Sequence, residues 1–169
     1  KFMSDAQRED ARLAFNGIDN AGLLDFVAAW YVKATQYLQP VVPRAGVEPA
    51  RPRCAFVSTN SITQGEQVGV LWGWLLAQGV HIHFAHRTFS WSNEAKGKAA
   101  VHCVIVGFGL DERPDKTLYE YEDIKGEPLA VPAKNINPYL VDAPDVVLPR
   151  RSKPICAVHE IGIGNKPID

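Results

Sequence analysis

Apolar residues recur at helical spacing in two long segments of this chain and gather into strand-length runs in three others. From Gly22 to Gln39, Leu23, Val27, Trp30, Ala34 and Leu38 share one stripe, widened by Leu24, Ala28 and Tyr31. That pattern predicts a heavily buried helix, stopped by Pro40 and Pro43. A shorter helix precedes it, opened by Ser4-Asp5, running to Arg12 or Phe15 and closed at Gly17. Thr63-Gln64-Gly65-Glu66 has the form of a capping box. Beyond it Val68, Leu71, Trp72, Leu75 and Leu76 give an amphipathic helix over 64–78 that ends at Gly79.

The strand-like runs have different textures. Cys54 to Ser58 (CAFVS) is continuously apolar, which predicts an inner parallel strand covered on both faces. His81 to Phe89 alternates, and Ala99 to Phe108 (AAVHCVIVGF) has a β-branched centre between Gly97 and Gly109. The loop Ser90–Lys98 joins them into a hairpin. After Gly109 come a charged turn (DERPDK), a predicted edge strand at Thr117–Glu122, and a tail rich in Pro and Gly without helical period. PVVPRAGVEPARPR, with four prolines, reads as a long surface loop.

A chain of 169 residues can bury one sizeable core with an appended segment. No apolar run approaches the roughly 18 residues of a membrane span, so no membrane partner is expected. The start at Lys1, with neither an initiator Met nor a signal peptide, predicts a piece of a longer polypeptide. Cys54, Cys103 and Cys156 are sparse, odd in number and unpaired in sequence, which fits a reducing cytoplasm. The first two sit in apolar runs and read as small core hydrophobes.

The net charge of −1 does not itself point to nucleic acid. Affinity for phosphate needs only local cations, however, and two clusters supply them: Arg44, Arg51 and Arg53, then Arg150, Arg151 and Lys153. Each is either a phosphate contact or an ordinary solvated loop. His81, His83, His86 and His102 lack the thiols or carboxylates that a zinc site needs beside them, so no metal is expected. Asp142 and Asp145 read as turn formers. No Gly-x-Gly follows a strand, and Gly162-x-Gly164 precedes no helix, so no cofactor-binding residue is assigned. Asn137-Pro138-Tyr139 is one proline short of the Asn-Pro-Pro-aromatic tetrapeptide of amino-methylating enzymes and follows a loop.

In this order, LLDFVAAWYVKA, AFVSTNSITQGEQV, HFAHRTFSWSNEAKGKAAVHCVIVGF, NINPYLVDAPDVVLPRRSKPIC and IGIGNKPID resemble segments of the adenine-specific DNA methyltransferase region of fused restriction–modification enzymes. The resemblance implies an α/β fold: a partial Rossmann-like class I methyltransferase sheet with a C-terminal antiparallel hairpin. Residues 1–110 would be the C-terminal half of the catalytic domain, and 111–169 a connector and the start of a target-recognition region. The catalytic tetrapeptide and the S-adenosylmethionine loop are expected upstream of Lys1, leaving this piece inactive and without bound cofactor. The partner of the whole enzyme would be double-stranded DNA.

An enzyme that methylates a base must first flip it out of the stack, and an aromatic face replaces the lost stacking. The resemblance places Phe89 or Trp91 in that role; the other reading is that both rings cap the core. Lys96 and Lys98, with Arg150 and Arg151, would contact DNA. A sheet cut at Cys54–Ser58 would expose a strand edge and pair two copies of the piece. A freestanding, non-catalytic α/β interaction module is the alternative.

Overall fold

The computed structural model describes residues 3–39, 52–91 and 101–148, with 151, 153, 156 and 157. Helix α1 (Asp5–Ala14) begins as the sequence predicts. The Ser4 hydroxyl accepts from the Gln7 amide, and the Gln7 side chain accepts from the Ser4 amide. Gly17, at φ +83°, turns the chain away.

The predicted single helix over Gly22–Gln39 is corrected. A 3₁₀ turn (Ala21–Leu23) and an irregular step come first, and α2 spans only Ala28–Leu38. The predicted stripe holds on α2 at Ala28, Tyr31, Ala34 and Leu38, which are buried, and fails at Trp30. Tyr31 is fully buried, stacked on Phe108 at 5.5 Å and edge-on to Phe56 and Trp72, whereas Trp30 is 60% exposed. Trp30 turns outward because the neighbouring ring of Tyr31 takes the inward place and has the better partners.

Strand β1 (Arg53–Thr59) follows, then a 3₁₀ turn (Asn60–Thr63) and a helical run of α3 (Gly65–Gln67), a π turn (Val68–Trp72) and α4 (Gly73–Ala77). Thr63 is not the cap residue of this run. Gln64 occupies the cap position, and the Thr63 hydroxyl donates back to the Asn60 carbonyl at 2.9 Å. Val68, Leu71, Trp72 and Leu75 are buried as the periodicity requires, and the Trp72 indole N–H donates to the Ile62 carbonyl. Gly79, at φ +80°, ends the run.

Strands β2 (His81–Trp91), β3 (Val101–Gly109), β4 (Lys116–Glu120) and β5 (Leu129–Ala133) complete one sheet in the order β1-β3-β2-β4-β5. Two expectations fail here. Strand β1 is no inner parallel strand among the described residues: it lies at the sheet edge, paired only with β3 and antiparallel to it. Strand β4 is not an edge; it runs parallel to β2 and is flanked on its other side by β5. The sheet therefore continues past residue 110.

Register divides the sheet into two faces. Phe56, Val106, Ala85 and Leu118 are successive neighbours on the face packed beneath α2 and the Trp72 segment. Val57, Ile105, His86 and Tyr119 are neighbours on the other face, where Val57 is 49% exposed. Cys103 is buried and Cys54 half-buried, and burial raises both thiol pKa values, as suits packing residues.

Candidate nucleic-acid interface

Strands β1 and β2 are both antiparallel to β3, and β4 is parallel to β2, so three strands point the same way. Their carboxyl ends, at Thr59, Trp91 and Glu120, fall along one edge of the molecule. In open α/β sheets, ligands bind beyond the carboxyl ends of strands.

A β-bulge shapes that edge. The pairing of His86 with Ile105 is followed by that of Phe89 with Cys103, so two residues, Arg87 and Thr88, oppose Val104 alone. Without the extra residue, Phe89 would point opposite to His86; the bulge returns it to the same face. The rings meet as that phase requires. His86 lies flat on Tyr119 (centroids 4.1 Å, 4° between planes), and its Nδ1 is 2.8 Å from the Tyr121 hydroxyl. Tyr121 stacks on Phe89 at 5.4 Å and 20°, and Phe89 meets Trp91 at 6.3 Å, tilted by 57°. Phe89 is half-buried and Trp91 is 45% exposed. Burial lowers the His86 pKa, favouring the neutral imidazole.

Polar groups hold the neighbouring turn. Asp25, just before α2, accepts from the Ser61 hydroxyl at 3.0 Å and the Gln67 amide at 2.9 Å, while its own N–H donates to Gln67 Oε1. Ser61 also bonds Thr59 at 2.9 Å. That lock sets Asn60 beside the bulge, where its Nδ2 reaches Thr88 Oγ1 at 3.5 Å. Beneath, Tyr31 bonds Ser58 at 2.8 Å; burial pushes its hydroxyl up to about 12, against the pull of that bond. On the far side, the Ser90 N–H donates to the Ile124 carbonyl at 2.6 Å, tying the end of β2 to the turn after β4.

Of the residues singled out from sequence, Phe89 and Trp91 come together here. Lys96, Lys98, Arg150, Arg44 and Arg51 lie outside the described residues, and Arg151 is exposed. Arg53 sits at the opposite, amino end of the sheet, paired with Asp111 at 2.9 Å. The Asn137 side chain is spent within its own turn, accepting from the Tyr139 and Val141 amides. Asp142 caps the Lys134 and Asn135 amides, as a turn former does. Among the histidines, His83 bonds the Asp111 carbonyl and His81 pairs with Glu112; no group of three ligating side chains among the described residues suits a metal ion. The sequence reading passed over His86, Tyr119, Tyr121 and Asn60. Tyr119 and Tyr121 did carry a signal, as rings two residues apart on one strand face.

The described residues do not fit S-adenosylmethionine. None of β1 to β5 leads into a glycine-rich turn over a helix. The open cavity of about 530 Å³ between α1 and the Ala21–Leu23 turn is lined by Met3, Phe15, Leu24, Arg8 and Arg12, with no carboxylate to face a sulfonium.

The described residues form a mixed α/β sheet with helices packed on one face and a ring-lined, polar carboxyl end. The chain belongs to the MmeI DNA-methyltransferase domain family, whose model matches residues 1–120. It is 37% identical over its full length to DNA methyltransferase A of Bacillus subtilis (strain 168), of which it spans 18%. The structure of the Type IIL restriction–modification enzyme MmeI in complex with DNA superimposes with a TM-score of 0.82 at 55% identity, covering 92% of this chain and 20% of that one. No helix among the described residues is long and apolar enough to cross a membrane.

Proposed function

We propose that this chain is the base-holding part of a site-specific DNA adenine-N6 methyltransferase in a fused restriction–modification enzyme. Residues 1–110 act as the C-terminal half of its catalytic domain, and 111–169 lead toward target recognition. The observation that carries this is the bulge in β2, which turns Phe89 and Trp91 to the carboxyl edge beside Asn60 and Thr88. Flipping a paired adenine costs a few kcal/mol, and stacking on one ring returns about 1–3 kcal/mol. Phe89 or Trp91 supplies that stack; Lys96, Lys98, Arg150 and Arg151 are assigned to phosphates of double-stranded DNA. The methyl donor, S-adenosylmethionine, and the Asn-Pro-Pro-aromatic tetrapeptide belong to other parts of the polypeptide, and the 169-residue chain alone is inactive. Along the outer edge of β1 a further strand adds, from the longer polypeptide or from a second copy. Free cysteines support a reducing, cytoplasmic setting.

The test is methyl transfer from labelled cofactor to duplex DNA by the longer polypeptide. Phe89→Ala is expected to lower it about ten- to a hundredfold, the equivalent of one lost stack. Unchanged transfer by Phe89→Ala and Trp91→Ala would overturn the assignment. Exposed Leu13, Trp30 and Tyr37 favour a second reading, a non-catalytic interaction module. A polypeptide that transfers no methyl group but loses a protein partner on Trp30→Ala would favour it.

A further inference from the structure

Phe89 has three aromatic neighbours, and they are not equivalent. Trp91 meets it tilted, is 45% exposed and lies at the last residue of β2. Tyr121 meets it as an offset stack and so covers part of one face. His86 approaches edge-on at 6.4 Å. Tyr121 is itself one residue past the end of β4, where no ladder hydrogen bond fixes it. What orients its ring is the 2.8 Å bond between its hydroxyl and His86 Nδ1. His86 in turn is held by its flat stack on Tyr119, its parallel-strand partner.

The result is a chain of supports running from the sheet outward: Tyr119 to His86, His86 to Tyr121, Tyr121 to Phe89. A base-holding ring is useful only when its orientation is set before the base arrives, because otherwise part of the stacking energy goes into ordering the ring. A core aromatic receives that order from close packing on all sides. Phe89 sits on the open face and at a bulge, so it needs a dedicated backing.

We propose that Tyr121 and His86 are positioning residues for the target adenine. Tyr121 closes one face of Phe89 and leaves the opposite face for the flipped base, and the His86 hydrogen bond locks Tyr121 in that pose. This rests on the base-holding reading given above. It also separates the two candidate rings: Phe89 is the fixed platform and Trp91 its exposed rim.

The experiment uses the full-length enzyme and a duplex whose target adenine, located by mapping methylated DNA, is replaced by 2-aminopurine. Flipping is read as the rise in fluorescence on binding; kcat is read on the unsubstituted duplex. Tyr121→Leu, which removes the ring, is expected to lower both the fluorescence rise and kcat about tenfold, with duplex Kd and melting temperature essentially unchanged. Tyr121→Phe keeps the stack and loses only the lock, so it recovers most of the signal and retains a loss of about twofold. His86→Leu, which removes the same lock from the other side, should match Tyr121→Phe. Wild-type flipping and kcat in Tyr121→Leu would overturn the proposal, as would a loss that tracks a fall in folded protein. If Phe89→Ala and wild type give the same fluorescence, the base-holding reading itself fails. If Phe89→Ala loses the signal and Tyr121→Leu does not, only the positioning role fails.

Discussion

At the amino ends of β1, β2 and β4, charged and polar side chains are matched to one another. Arg53 pairs with Asp111 at 2.9 Å, His81 with Glu112 at 2.6 Å, and the buried Lys116 reaches both Glu112 and Asn135 at 2.9 Å. His83, 7% exposed, spends a ring nitrogen on the Asp111 carbonyl at 2.7 Å. At the carboxyl ends of the same strands the groups are mostly neutral. Asn60, Thr88, Phe89, Trp91, His86 and Tyr121 gather there, with the exposed Arg87–Glu120 pair at the margin. The amino end spends its charged groups on one another, with only Asp111 Oδ1 left without a hydrogen-bond partner, so it fixes the fold. The carboxyl end leaves the Trp91 ring 45% exposed and Phe89 half-buried, so it is the end with aromatic surface to offer a ligand. Variants at the first should change stability, and variants at the second should change DNA chemistry.

The sharpest test at the amino end is Lys116→Ala. Its side chain is fully covered, and losing both the stem and its two partners should cost about 3 kcal/mol in chemical denaturation. Methyl transfer per folded molecule should not change. Asp111→Ala should cost less, about 1–3 kcal/mol, since Arg53 is half-exposed and only His83 loses a buried neighbour. If either variant impaired methyl transfer at equal folded fraction, the contrast between the two ends would collapse.

Acid should weaken the fold in two stages. Burial holds the His83 pKa below the usual 6.5, against the opposing pull of its bond to Asp111, and burial lowers that of His86 too. The unfolded chain therefore takes up protons first, so stability is level above about pH 6.5 and falls as pH drops through the lowered values. At Asp111 and Glu112, burial raises the pKa but is outweighed by Arg53 and by Lys116 respectively, leaving both lowered. Their contribution is present above the ordinary carboxyl range and is lost only in stronger acid. Melting temperatures between pH 7.5 and 5 should fall progressively below pH 6.5, and by less in His83→Gln. The smallest effect is expected at Asn60→Ala, whose 3.5 Å bond to Thr88 is weak. About a threefold loss of methyl transfer without change in melting temperature would fit its placement at the carboxyl end.

Most local signals were legible in the sequence, Thr63 as a helix cap excepted, and non-local ones were not. Ser4 and Gln7 cap α1 with partners three residues apart, and Gly79 ends its helical run with its own backbone. By contrast, α2 starts late because Asp25 is engaged by Ser61 and Gln67, 36 and 42 residues away. Whether CAFVS lies inside or at an edge depends on β3 entering beside it, which apolarity alone cannot specify. Phe89 and Trp91 stood out by their place in the hairpin. Their supports did not, because the parallel pairing of His86 with Tyr119 and the bulge at Arg87–Thr88 are properties of the assembled sheet.

Photocrosslinking examines the central claim at the atoms concerned. A duplex carrying 5-iodouracil in place of the target adenine, bound to the full-length enzyme and irradiated, should attach to the tryptic peptide Thr88–Lys96 (TFSWSNEAK), with the adduct on Phe89 or Trp91. An adduct confined to the amino end of the sheet, or absent from this chain while forming elsewhere in the enzyme, would contradict it.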